Sequence, residues 1–467
     1  MLTFQRVTKR NIRTLRRYYE NCLFGLCEYS AGVKLMWRDA LHYRWAEAAG
    51  CLIVCARIGD QIVFDYPVAL ADGDEEAALE AIERECIERG IAPVFAVVPE
   101  EKTQRLLARY PYTRVSDFRS WRDYLYYKED LLLFSGRRYS GQRNHIKKFR
   151  ALCPNAEFRV LEREDGGAIA RFWDEFEAEF PKGSDKRAAA ELQLAKRMME
   201  MRGKAGLSAG GMFDGDRLVS LCLVETCGAT LVIHVEKALY SCVGAYPATV
   251  QAEAETFGEG CRYINREDDA ADRGLRTSKL QYGPCKLAPK YRIEPQNELL
   301  RHVEAIPELK TERLTLSALT RKDIPAYNAL VLDAERNRYW GYDDLGALKE
   351  PMTEESFYRV AENDFARRLA VNFAVRLNGK LIGEAVLYNF DYRGGAELGC
   401  RVAKEYAGNG YGTEAFAAVA EWGLYRVNLT RVYAKCYREN AASYKMLSSC
   451  MRRIGEDETF FYFEKQV

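Results

Sequence analysis

Short apolar runs alternate with longer mixed stretches along most of the chain, and the lengths of the runs predict the elements. Residues 51–56 and 62–70 are apolar over the length of a strand, 75–89 reads as an acidic helix, and 92–98 is strand-like again. After an aromatic run at 121–127 and a seam at 131–136 the alternation restarts, with strands expected at 218–225 and 230–237 and a helix at 248–257. A polar stretch at 301–312, containing Pro307, separates these regions from a third patterned one. This βα alternation predicts an α/β (α+β) chain of three modules, at 1–135, 136–300 and 313–467, with 301–312 as linker. The Arg-rich start, residues 1–19, reads as the first amphipathic helix of the fold. No run approaches the ~18 apolar residues of a membrane span, so no transmembrane segment is expected.

Composition narrows the classes of function. The 467 residues carry 69 Lys and Arg against 68 Asp and Glu, a net charge of +1, so any contact with a polyanion must be a local patch. Hydrophobic residues at 48% and charged residues at 29% exclude disorder as the default. The 14 cysteines contain no C-x-x-C pair and the 4 histidines stand far apart, so no zinc motif and no metal is expected. Buried free thiols in a reducing cytoplasm are the expectation.

The strongest local signal lies between residues 396 and 425. A short strand at 396–402 precedes Ala407-Gly408-Asn409-Gly410-Tyr411-Gly412-Thr413, and an apolar helical run follows over 414–425. Strand, glycine-rich turn and helix together make an anion site, because glycines admit a diphosphate close to the backbone and the helix start adds N–H donors and dipole charge. Thr413 stands where a dinucleotide fingerprint needs its third glycine, and no Gly-Lys-Ser/Thr of a Walker loop is present. A turn that only joins two elements accounts equally well for the glycines alone.

With Lys310-Thr311-Glu312-Arg313-Leu314-Thr315-Leu316 ahead of it and Asn440-Ala441-Ala442-Ser443 behind it, this region resembles the GNAT acetyltransferases, above all those that acetylate ribosomal protein N-termini. The resemblance implies a mixed, mostly antiparallel sheet flanked by helices. It implies acetyl-CoA as cofactor, its diphosphate on Gly408, Asn409, Gly410, Tyr411, Gly412 and Thr413 and its pantetheine along the backbone of Cys400, Arg401 and Val402. Asn440 is then a second pantetheine contact, Glu397 the general base and Ser443 the acid for the leaving thiolate. A base is needed because a protonated amine cannot attack a thioester. The chain departs from the family at Ala407, where the turn usually opens with Gln or Arg, and at Met451-Arg452, where Gly-Phe is usual.

A second concentration of charge is Gly136-Arg137-Arg138-Tyr139-Ser140-Gly141-Gln142-Arg143-Asn144-His145-Ile146-Lys147-Lys148-Phe149-Arg150. As a helix over 142–152 it puts Arg143, Lys147 and Arg150 on one face and Ile146, Phe149 and Cys153 on another. With His234-Val235-Glu236-Lys237, Asn265-Arg266-Glu267 and Lys279 it resembles the C-terminal domain family of phosphatidylglycerol lysyltransferases, over roughly residues 1–300. That resemblance implies two GNAT-like folds in tandem and a cleft in the second, with Arg143, Asn144, His145, Lys148, Glu236, Asn265, Arg266, Glu267 and Lys279 as substrate contacts. Adjacent strand residues point to opposite faces, so Glu236 and Lys237 share a cleft only if the strand bulges.

The expected function is a cytoplasmic acyltransferase that moves an acetyl group from acetyl-CoA to a small-molecule or peptide amine, with no integral membrane contact. The tandem would supply a second transfer or recognise the acceptor. Two alternatives stay open: a transferase fed by aminoacyl-tRNA, and a binding protein that kept the folds without the chemistry.

Overall fold

The helix expected over 75–89 forms over Glu75–Arg89. The Asp74 side chain caps its start, accepting from the N–H groups of Glu76 and Ala77, and Gly90 ends it in the left-handed region at φ 61°. Proline trims the strands on either side. The run 62–70 divides around Pro67 into Gln61–Asp65 and Val68–Ala69, and the run 92–98 begins only after Pro93, as Phe95–Val98. Other expected elements appear within a few residues, as Arg217–Cys227, Thr230–Ala238, Ala245–Phe257, Gly395–Val402 and Tyr411–Tyr425, whereas the helix expected over 1–19 is confined to Ile12–Tyr19, with a strand at Gln5–Arg6 ahead of it.

In this computed structural model residues 2–179, 186–296, 299–340 and 351–467 are described. The chain forms an α/β protein with three mixed sheets flanked by helices, divided into two compact units: residues up to Leu106 with Arg114–Glu294, and Leu107–Thr113 with Pro295–Val467. The first unit holds two of the sheets. In one, Gln61–Asp65 and Phe95–Val98 run parallel; in the other, Thr230–Ala238 and Tyr263–Asn265 do. In the second unit the parallel pair is Gly395–Val402 with Arg431–Tyr437. Antiparallel neighbours flank each pair.

The two front sheets exchange strands across the seam expected at 135/136. Asp123–Tyr127 lies before that seam but pairs with Tyr263–Asn265 and Lys286–Ala288 in the second sheet. Tyr291–Pro295 comes after the second sheet and returns to pair with Phe95–Val98 in the first. The seam at 131–136 marks a local change of pattern, while sheet membership is decided by pairing over more than a hundred residues. The stretch 301–312 is likewise more than a linker: Val303 belongs to the apolar core of the second unit and Leu309–Lys310 pairs with Leu314–Ala318.

All 14 cysteines are free, and all but Cys285, Cys400 and Cys450 are buried. No helix among the described residues is long and apolar enough to cross a membrane.

Candidate functional site

In the second unit the parallel strands are in register only from Gly395 to Glu397, opposite Arg431 to Tyr433. Beyond that point they part, while Gly395–Val402 keeps its antiparallel partner Lys380–Tyr388 as far as Val402. Among the described residues, no strand pairs with the edge of residues 398–402 that faces away from this partner. A cleft of about 620 Å³ opens there, lined by Glu397 to Val402, the glycine turn, Lys435, Tyr437, Asn440, Ser443 and Phe460.

The turn is shaped for an anion. Gly408 and Gly410 have φ 80° and 81°, where a side chain is strained, and a Cβ at Gly408 would meet nothing within 4 Å. Backbone conformation, rather than crowding, therefore calls for glycine at 408. Gly410 precedes the helix Tyr411–Tyr425 and no side chain caps that end. The N–H groups of residues 408 to 413 donate to no protein acceptor among the described residues, which leaves a row of donors at a helix start. Arg313 fixes the turn: it donates to the Asn409 carbonyl at 3.0 Å and to Glu414 at 2.7 Å, and lies over the Tyr411 ring. Burial alone would raise the Glu414 carboxyl, but hydrogen bonds from Thr311 and Arg313 outweigh it and hold Glu414 below its usual range.

Glu397 stands where the strands begin to part. Its side chain is 8% exposed; Oε2 accepts from Asn389 Nδ2 at 2.9 Å and Oε1 lies 3.9 Å from Lys435 Nζ. Tyr388 is its cross-strand neighbour, and burial together with the adjacent Glu397 charge pushes the Tyr388 hydroxyl far up. Asn440 and Ser443 both reach the cleft. Asn440 is the cap of the helix Ala441–Cys450, its Oδ1 accepting from the Ser443 N–H at 3.1 Å. The Arg401 side chain turns away into an ion pair with Glu384 at 2.7 Å, leaving this residue only its backbone for a ligand. At the departures from the family pattern, Ala407 lines the cleft, Met451 fills the core, and Arg452 pairs with Glu464.

The first unit gathers the other expected residues unevenly. Glu236, Asn265, Arg266, Glu267 and Lys279 come together. Arg266 pairs with Glu236 at 2.8 Å and stacks over Tyr282, and Lys279 Nζ donates to the carbonyls of Arg266 and Asp268. Asn265 donates to Asp123 at 2.7 Å and accepts from the Glu267 N–H at 2.7 Å. Lys237 points elsewhere, to Glu191, as strand alternation requires. Arg143, Asn144, His145 and Lys148 lie on the exposed side of the helix Ser140–Leu152, whose buried face carries Ile146 and Phe149. Arg143 donates to the carbonyls of Phe134 and Gly136, so it holds its own loop and joins none of the cluster.

Cys27, Glu28, Asp123 and Lys290, which no motif marked, complete the cluster together with His234. Lys290, wholly buried, lies 2.7 Å from both Glu28 and Asp123, 3.4 Å from Asp268, and donates to Cys27 Sγ at 3.3 Å. Cys27, Glu28 and Asp123 are the one set of metal-ligand side chains close enough to share an ion among the described residues, and the Lys290 ammonium contacts all three. A fixed cation of the chain thus stands where a metal would. His234 is the extra residue of a bulge, since Val235 opposes Leu223 and Ile233 opposes Val224. The bulge aims its ring between Glu225, at 3.1 Å, and Glu267, at 3.0 Å. A Cβ on Gly32 would fall 2.3 Å from that ring.

Burial lowers the His234 pKa, and the two carboxylate hydrogen bonds overcome it and raise the value to about 9. A group raised above its unfolded value near 6.5 contributes all its stability below that pH and loses it as pH climbs through about 9. Unfolding midpoints should therefore fall between these pH values, by about 3 kcal/mol in stability, and His234→Gln should flatten the fall. A midpoint that holds level or rises over the interval would contradict an ionised His234.

In the cleft, local motifs missed Tyr388, Tyr437, Trp340 and Lys435. The one signal available was strand alternation, which puts Tyr433, Lys435 and Tyr437 on one face of 431–437.

Residues 22–294 match the family described as phosphatidylglycerol lysyltransferase, C-terminal, and residues 313–450 match the acetyltransferase (GNAT) domain. The uncharacterized N-acetyltransferase YnaD of Bacillus subtilis is 29% identical over 151 residues, which cover 32% of this chain and 84% of that protein. YoaA of the same organism, also an uncharacterized N-acetyltransferase, is 25% identical over 142 residues, 30% of this chain and 80% of that one. A conserved protein of unknown function from Bacteroides thetaiotaomicron aligns with TM-score 0.54 and 24% identity, over 63% of this chain and 99% of its own, a likeness of fold. The GNAT domain implies acyl-CoA binding, and the residues fit it: free N–H donors for a diphosphate, and an open strand edge for the amides of pantetheine.

Proposed function

The chain belongs to the phosphatidylglycerol lysyltransferase C-terminal family and carries a GNAT acetyltransferase domain behind it, and from that premise we propose that the second unit transfers an acetyl group from acetyl-CoA to an amine. The observation that carries this reading is the splay of Gly395–Val402 from Arg431–Tyr437, with an uncapped helix start at one end and a nearly buried carboxylate at the other. Acetyl-CoA supplies the acyl group already activated as a thioester. Gly408 to Thr413 receive the diphosphate on backbone N–H groups, and the edge of Cys400 to Val402 aligns the pantetheine arm. Glu397 takes the proton from the acceptor ammonium at Oε1 or through one water, and the Ser443 hydroxyl returns a proton to the departing sulfur. Tyr388, Tyr437 and Phe460 wall the amine end against water.

In the first unit we read the two sheets as a tandem of the same acyltransferase fold with exchanged strands, placing either acceptor recognition or a second transfer on the cluster around Arg266 and His234. Release of CoA thiol from acetyl-CoA, followed against a panel of primary amines, tests the proposal. Release that depends on the amine supports it; release that no amine stimulates, in protein that binds acetyl-CoA, argues for a binding protein instead.

A further inference from the structure

The cleft contains an amine of its own. Lys435 follows two residues after Tyr433, where the register with Glu397 ends, so it keeps the face that Glu397 presents just as the strands separate. Its Nζ lies 3.9 Å from Glu397 Oε1, too long for a direct hydrogen bond and short enough for one after a small rotation or through one water. The Lys435 side chain is 41% exposed, so its ε-amine is open to the cleft from the solvent side. It also lies 5.4 Å from the centre of the Phe460 ring, part of the same wall. The other lysine lining the cleft, Lys445 on the helix Ala441–Cys450, has no carboxylate within 4 Å among the described residues and serves as an internal comparison.

We propose that Lys435 is an intramolecular acetylation site, its ε-amine taking the acetyl group from the donor bound in the cleft with Glu397 as the base. The inference rests on the reading of the cleft as an acetyl-CoA site. Glu397 removes one proton from the Lys435 ammonium, and the freed nitrogen pair forms a bond to the acyl carbon. The nitrogen gives up its second proton as the carbon–sulfur bond breaks with its electrons on sulfur, and CoA leaves as the thiol having taken up that proton, so no oxidant or further reactant is needed. The product amide is neutral. It removes the one cation within 4 Å of Glu397 among the described residues and leaves an acetyl group in the space an external amine must enter. Lys435 acetylation therefore limits turnover when donor is abundant and acceptor scarce.

The test is incubation of the intact chain with isotopically labelled acetyl-CoA and no other amine, followed by proteolysis and mass spectrometry. Label should enter Lys435 about 100-fold faster than Lys445, the size of a positioned general base. Glu397→Gln should abolish it, and heat-unfolded chain should show no preference between the two lysines. Lys435→Arg should lose the label and still bind CoA by calorimetry, which separates a lost acceptor from a lost site. Label at Lys435 no faster than at Lys445, or unchanged in Glu397→Gln, overturns the proposal. If CoA binds and external amines are acetylated while Lys435 stays unlabelled, this inference alone fails; if CoA does not bind, the reading of the cleft fails with it.

Discussion

Glu397→Gln should bind acetyl-CoA as tightly as the parent chain and acetylate amines about 10²- to 10⁴-fold more slowly. The substitution keeps shape and keeps an acceptor for the Asn389 side chain, which holds Glu397 at 2.9 Å, but removes the group that accepts a proton. Because Glu397 stands at the base of the splay and the phosphate turn lies beyond Val402, the loss should fall on turnover and leave binding unchanged. Parallel calorimetry and thiol-release assays separate the two. Equal activity would remove Glu397 from the mechanism, and lost binding would make it a ligand contact instead of a base.

The paired substitution Gly410→Asp, Gly412→Asp should cost at least about 100-fold in acetyl-CoA affinity, from a starting point near micromolar or about −8 kcal/mol. Gly410 has φ 81°, so any side chain there strains the turn, and a Cβ would come within 3.4 Å of the Arg313 guanidinium that braces it. A Cβ on Gly412 would lie 3.5 Å from Val402, at the mouth of the pantetheine edge. Two carboxylates among the N–H donors also offset the helix-start dipole, and their negative charge repels a diphosphate. Full-strength binding by this variant would show that the donor enters elsewhere.

Much of the fold was legible because it is local. Asp74 and Gly90 bracket the helix Glu75–Arg89 at positions where side-chain capping and a left-handed φ are needed, so its ends could be read from the residues. The glycine turn was legible for the same reason: Gly408, Gly410 and Gly412 lie within five residues of one another, and positive φ at Gly408 and Gly410 shapes the turn. Glu397 precedes them by little more than a strand. Lys435, Tyr437 and Tyr388 come from two other strands, and only the sheet brings them to Glu397.

The front unit shows where such reading stops. Asp123, Asn265 and Lys290 meet because two strands cross between sheets, and no local pattern records which sheet an apolar strand joins. His234 faces two carboxylates only because a bulge shifts the register by one residue, a property of the pairing with Arg217–Cys227 and not of the strand's own composition. Within the basic run, the helix expected over 142–152 with an apolar face forms over Ser140–Leu152. Its Arg143 engages neighbouring carbonyls, a use of charge that spacing cannot distinguish from phosphate binding.

Hydrogen–deuterium exchange of the intact chain with and without acetyl-CoA tests the central claim most directly, because it reports the backbone N–H groups on which the cleft depends. Slowed exchange in 398–402 and 408–413 is the predicted result, with little change in residues 22–294. Protection confined to residues 22–294, or none in the turn under saturating acetyl-CoA, would contradict a donor seated between the splayed strands.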